Sequence, residues 1–237
     1  MKKKTLIKCL LIILAIIASI VIYLCTGNYK AENEAWESIY SSKDVNVSMI
    51  EEGYFFDGPY DDKAIIFYPG AKVECEAYAC LMKKIAETNA DTFLIRMPFN
   101  IAFLGSKKAD KILDKYEYKE WFLAGHSLGG VVACNYASNN PNNIKAVINL
   151  GSYPSNKMPD NLMYYSFYGT EDKIVNQDYY DKGKDNLPKS NKEYLIEGGN
   201  HSGFANYGEQ KGDGTRTITN EKQQEYVIEN LKEIIER

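Results

Sequence analysis

One serine, one histidine and one aspartate stand where they could turn a hydroxyl into a nucleophile. The serine is Ser127, inside Gly125-His126-Ser127-Leu128-Gly129-Gly130. A serine hydroxyl attacks a carbonyl only when a base takes its proton, and the base needs a partner to orient it. The chain holds only two histidines. His126 adjoins Ser127, and neighbouring side chains diverge at a sharp turn, so the base is assigned to His201 in Gly198-Gly199-Asn200-His201-Ser202-Gly203. His126 itself reads as structural or as a wall of the site. The orienting acid is sought between Ser127 and His201. In Gly169-Thr170-Glu171-Asp172-Lys173, Asp172 is the first choice and Glu171 the second, with Asp178 third. Acyl transfer also requires N–H donors for a developing oxyanion. The Leu128 N–H is one. The other comes from Pro69-Gly70-Ala71-Lys72, with Ala71 preferred and Lys72 the alternative. Lys72, Asn100 and His126 are the candidate substrate contacts. No cysteine or histidine spacing suggests a metal, and this chemistry calls for no cofactor.

Such residues need elements to bring them together. Glu120-Trp121-Phe122-Leu123-Ala124 reads as a buried strand and Val131 to Ala137 as a helix, so Ser127 falls on a strand-to-helix turn with small residues on both sides. Lys63 to Tyr68, Thr92 to Met97, Ile144 to Leu150, Leu162 to Tyr168 and Glu193 to Ile196 read as further strands. Helical patterns lie between or after them at Glu74 to Thr88, Lys107 to Tyr116, Gln177 to Lys184 and Asn220 to Arg237. Residues 45–49 and 53–56 read as an antiparallel pair. Strands alternating with helices predict a mostly parallel sheet covered on both faces. Ser127, Asp172 and His201 each follow a different strand at the carboxyl edge, where ligands gather. The connection from Leu150 to Leu162 is too short for a cap domain, so the site should be open.

The net charge is −4, and without Lys2, Lys3, Lys4 and Lys8 the remainder has 24 basic against 32 acidic residues. An acidic domain with no basic stripe is no nucleic-acid binder. Cys9 to Cys25 is a charge-free run of 17 residues preceded by those lysines. It reads as a transmembrane anchor through residues 6–26, with a cytoplasmic N-terminus and an extracytoplasmic domain. The rival is a signal peptide cleaved near Gly27, giving a secreted protein. The chain thus divides into an anchor or signal (1–27), a stalk with a short helical pattern (28–44) and a catalytic domain (45–237). Cys75 and Cys80 share a helix and cannot pair, and Cys134 reads as a small buried hydrophobe.

Phe67-Tyr68-Pro69-Gly70-Ala71-Lys72-Val73-Glu74, Arg96-Met97-Pro98-Phe99-Asn100, Gly125 to Gly130, Gly198-Gly199-Asn200-His201, Tyr207-Gly208 and Gly212-Asp213-Gly214 together resemble the α/β-hydrolase superfamily. More narrowly they resemble its small lid-less group, α/β hydrolase fold-5. The resemblance covers nearly everything after residue 45 and implies an α/β-hydrolase fold with an eight-stranded-type sheet and a Ser127/Asp172/His201 triad. Tyr68-Pro69-Gly70 stands where many lipases and esterases carry His-Gly. The expected activity is a serine carboxylesterase acting on a small ester or acyl substrate through an acyl-enzyme. An acyltransferase or peptidase with the same triad is the alternative, and a membrane-tethered binding module without catalysis is a further one.

Overall fold

The computed structural model describes residues 3–59, 62–88 and 90–236. Eight strands form one sheet: β1 (Asn46–Ile50), β2 (Gly53–Asp57), β3 (Lys63–Tyr68), β4 (Asp91–Ile95), β5 (Glu120–His126), β6 (Ala146–Leu150), β7 (Met163–Gly169) and β8 (Ser190–Ile196). Their order across the sheet is β1-β2-β4-β3-β5-β6-β7-β8. The first two join antiparallel, and every pairing from β4 to β8 is parallel. Seven helices accompany it among the described residues: α1 (Lys3–Cys25), α2 (Asn33–Ser38), α3 (Ala79–Thr88), α4 (Lys108–Lys115), α5 (Leu128–Asn139), α6 (Gln177–Lys184) and α7 (Asn220–Glu236).

β3 is apolar almost throughout because both faces of the sheet are covered. Ile65 and Phe67 point into a core shared with Leu81 and Met82 of α3 and Val227 and Leu231 of α7. Ala64, Ile66 and Tyr68 point the other way, into a core with Val132 and Ala133 of α5 and Ile112 of α4. Side-chain alternation thus divides the strand between two cores. The connection 151–162, between β6 and β7, carries no helix.

The helix expected from Glu74 begins instead as a 3₁₀ turn, Cys75–Tyr78, before α3. The preceding chain is held extended: Tyr29 bridges Val73 in parallel, and the Glu74 N–H donates to the Tyr29 carbonyl at 3.0 Å. Residues 28–38 are therefore laid along the domain. The Glu74 carboxylate accepts from Lys30 Nζ at 2.6 Å and from the Ala31 N–H at 3.0 Å, and Ala35 of α2 is fully buried.

The N-terminal reading needs correction. α1 carries lysine at its start, and its charge-free part after Lys8 is 17 residues, short of the roughly 20 that span a hydrocarbon core. Among the described residues no helix is long and apolar enough to cross a membrane. The transmembrane anchor, the membrane contact through residues 6–26 and the single-pass location drawn from them are withdrawn. Met1, Lys2 and Arg237, which belonged to the expected terminal elements, lie outside the described residues.

Candidate active site

Ser127 sits between the last residue of β5 and the first of α5, at φ 52° and ψ −125°. A non-glycine residue is rarely found there, and such strain persists only where the surroundings impose it. Close approach imposes it here. A Cβ on Gly129 would lie 2.0 Å from the Tyr68 carbonyl oxygen, and one on Gly125 would lie 2.6 Å from the Gly129 backbone. A Cβ on Gly130 would strike Ser152 at 2.6 Å. The turn is pinned from β6: the Ser127 N–H donates to the Leu150 carbonyl at 3.0 Å, and Ser152 Oγ donates to the Ser127 carbonyl at 2.7 Å. Ser127 and Leu128 remain partly exposed, whereas the residues around them are buried.

Asp172 and His201 meet. His201 Nδ1 lies 2.7 Å from Asp172 Oδ2, and both residues are buried. The second carboxylate oxygen, Oδ1, accepts from the N–H groups of Ile174 at 2.9 Å and Val175 at 3.0 Å. The turn after β7 thereby fixes which oxygen faces the imidazole. Gly151, just after β6 with φ +50°, closes over this pair: a Cβ there would be 3.0 Å from His201 Nδ1 and 3.1 Å from Asp172 Oδ2. Of the other two acids weighed, Glu171 is partly exposed beside this turn and Asp178 is exposed on α6.

The loop that carries His201 is held by residues that sequence reasoning missed. Asp213 accepts from the Ser202 N–H at 2.9 Å and from the His201 N–H at 3.4 Å. Gln223 of α7 makes a reciprocal pair with the Asn200 backbone, accepting from its N–H at 3.1 Å and donating to its carbonyl at 2.8 Å. Asn200 Oδ1 accepts from the Gly203 N–H at 3.0 Å. Asp213 stood in the Gly212-Asp213-Gly214 motif, the one signal that could have found it. Gln223 left none, because a polar residue near a helix start usually faces solvent.

The loop after β3 meets the loop after β4. The Lys72 N–H donates to the Asn100 carbonyl at 2.8 Å, and both residues have positive φ. That bond occupies the Lys72 N–H. The Lys72 ammonium donates to the Thr26 carbonyl at 3.2 Å. His126 points inward and is 1% exposed, with Nδ1 2.8 Å from the Tyr78 hydroxyl and its ring centroid 4.4 Å from that of His201. Burial, and then the adjacent His201, hold its imidazole well below the ordinary value, so it is neutral at neutral pH. Burial likewise raises the Tyr78 phenol, which stays protonated. Among the described residues no cluster of histidine, cysteine, aspartate and glutamate could hold a metal ion.

Residues 64–225 match the family model described as "Alpha/beta hydrolase family". A search of curated proteins gave no match. Several solved structures share the fold. A dienelactone hydrolase from Anabaena variabilis aligns with a TM-score of 0.59 at 14% identity, over 80% of this chain and 96% of its own. Est1E from Butyrivibrio proteoclasticus, in a structure with ferulic acid bound, gives 0.59 at 15% identity, over 82% and 96%. Alpha/beta hydrolase domain-containing protein 10 from mouse gives 0.56 at 14% identity, over 83% and 99%.

Proposed function

The chain belongs to the alpha/beta hydrolase family, and we propose that it is a serine hydrolase of carboxylesterase type. Ser127 is the nucleophile, His201 the general base and acid, and Asp172 the group that orients His201. The observation that carries the reading is the buried 2.7 Å contact between His201 and Asp172, on the same sheet edge as the strained Ser127 turn. With Asp172 accepting the Nδ1–H, His201 Nε2 is left unprotonated and able to take the Ser127 proton. Ser127 Oγ then bonds to the substrate carbonyl carbon, and the oxyanion lies against the N–H groups of Leu128 and Ala71. Collapse expels the alcohol, protonated by His201, and leaves an acyl-enzyme. Water attacks the acyl carbon, gives its proton to His201, and the acid is released as Ser127 regains its hydrogen.

The ester bond is the finer part of the reading. The names of two structural relatives suggest which substrates to try first, a small lactone and a hydroxycinnamate ester, beside acyl esters of graded chain length. A fluorophosphonate probe should label Ser127 on the folded protein, and Ser127→Ala should abolish both labelling and turnover. Folded protein that takes no label would sink the proposal.

A further inference from the structure

Beneath the nucleophile lies a hydrogen-bonded chain to which the reaction above gives no task. The Gly70 N–H donates to the Tyr78 hydroxyl at 3.0 Å, and that hydroxyl lies 2.8 Å from His126 Nδ1. Tyr78 is wholly buried. Its oxygen accepts from Gly70, and of its two partners only His126 Nδ1 can accept the buried hydroxyl's own hydrogen. Nδ1 of His126 must then be the acceptor, and the ring proton sits on Nε2. Nε2 is buried without a partner in hydrogen-bonding geometry. The fit is tight: a Cβ on Gly70 would fall 2.9 Å from the Tyr78 oxygen and 3.0 Å from His126 Nδ1.

Gly70 immediately precedes Ala71. His126 immediately precedes Ser127, and its ring packs on His201 at 4.4 Å between centroids. We infer that Tyr78 and His126 are positioning residues: the neutral Nε2–H form of His126, through the Tyr78 hydroxyl, anchors the Gly70 N–H and so places the following Ala71 N–H as the oxyanion arm, and at the same time backs the ring of His201. This rests on the serine-hydrolase reading and deepens it. One buried pair sets the relative placement of three groups that must act together. A displaced arm would weaken binding of the oxyanion and leave ground-state binding alone, so the effect belongs in kcat and not in KM.

Two measurements test it. With only two histidines in the chain, ¹⁵N imidazole spectra of the whole protein resolve each ring, and His126→Asn assigns them. The expected His126 signal is the neutral tautomer with Nδ1 bare and Nε2 protonated. The second is kinetic. Tyr78→Phe should slow both ester turnover and fluorophosphonate labelling of Ser127 about tenfold, with KM unchanged. His126→Leu should do the same, and the double variant should be no slower than either single one. His126→Asn, which returns an acceptor near the Nδ1 position, should recover most of the rate. Because Tyr78 is buried, its variant is compared at a temperature where circular dichroism shows it folded, and His126→Asn against His126→Leu supplies the same contrast independently. The opposite tautomer overturns the inference, as does a folded Tyr78→Phe that labels at the wild-type rate. Wild-type protein that takes no label overturns the hydrolase reading instead, and the inference with it.

Discussion

Replacing Asp172 by asparagine keeps the shape of the side chain and changes one donor–acceptor relation. Oδ1 accepts two backbone N–H groups, from Ile174 and Val175, at 2.9 and 3.0 Å. An asparagine satisfies them only with its oxygen on that side, which turns its NH₂ toward His201 Nδ1. Nδ1 must then accept, the ring proton moves to Nε2, and the base faces Ser127 in its protonated form. Restoring the competent tautomer requires turning the amide over and leaving two partly buried N–H groups without an acceptor. At about 1–3 kcal/mol each, the cost is roughly 2–6 kcal/mol. With about 1.4 kcal/mol per decade of rate, Asp172→Asn should lower kcat by roughly 30-fold to 10⁴-fold. The fold should survive, because the two backbone bonds are kept. The assay is steady-state turnover of the best ester in the panel, with a fluorophosphonate labelling rate beside it. Turnover within threefold of wild type would refute the role assigned to Asp172 and return Glu171 to consideration.

Gly151→Ala puts a methyl group 3.0 Å from His201 Nδ1 at a residue with φ +50°. Stability should fall by about 1–2 kcal/mol from the backbone strain, read by urea unfolding, and turnover by about tenfold from the displaced pair. An unchanged rate would show that Gly151 does not confine it. Glu76 is buried in the 3₁₀ turn before α3, where its carboxylate accepts from Arg96 at 2.7 Å and from the Tyr54 hydroxyl at 3.0 Å. Burial pushes its pKa up, but hydrogen bonds from its own backbone, Arg96 and Tyr54, with the charge of Arg96, leave it below the ordinary carboxylate value. A lowered folded value means stability that is present above the ordinary carboxylate range and lost as pH falls through the folded value. Arg96→Met should therefore cost about 1–3 kcal/mol near neutral pH, the figure for a buried pair reduced because Arg96 is half exposed. The gap should narrow below about pH 4, and urea midpoints at the two pH values check it.

The strands could be read because each lies between two apolar layers, and continuous runs such as Ala64-Ile65-Ile66-Phe67 have no other home in a chain of this size. The neighbourhood of Asp172 and His201 was legible for a different reason: both follow adjacent parallel strands, β7 and β8, so topology alone puts their loops side by side. Other features left little trace. In the sequence Tyr78 is one more ring within the helical pattern from Glu74 to Thr88, and only the position of Gly70 reveals that its hydroxyl has a task. His126 was weighed as a wall of the site, since the direction of a side chain at a turn is set by backbone angles and not by neighbours in sequence. The polar stretch 28–44 carries too few large apolar residues to announce that it packs, and part of its hold on the domain is made through backbone groups, which no side-chain pattern reveals. The N-terminal segment is apolar but lacks the uninterrupted length of a membrane span, and composition alone does not separate the two.

The strap formed by residues 28–38 bears on the order in which the molecule is assembled. Besides the nearer contact of Tyr29 with Val73 and Glu74, Tyr29 and Glu32 bond to residues far along the chain. The Glu32 N–H donates to the Asn206 carbonyl at 2.9 Å, and the Lys211 N–H donates to the Tyr29 hydroxyl 182 residues away along the chain. Closing such long loops carries an entropic cost before any contact compensates for it. The Ser127 turn, by contrast, is complete once β5, α5, β6 and the neighbouring β3 have formed. The loop that bears His201 therefore depends on α7 and on a strap far upstream in the chain, whereas the Ser127 turn is built from neighbouring elements.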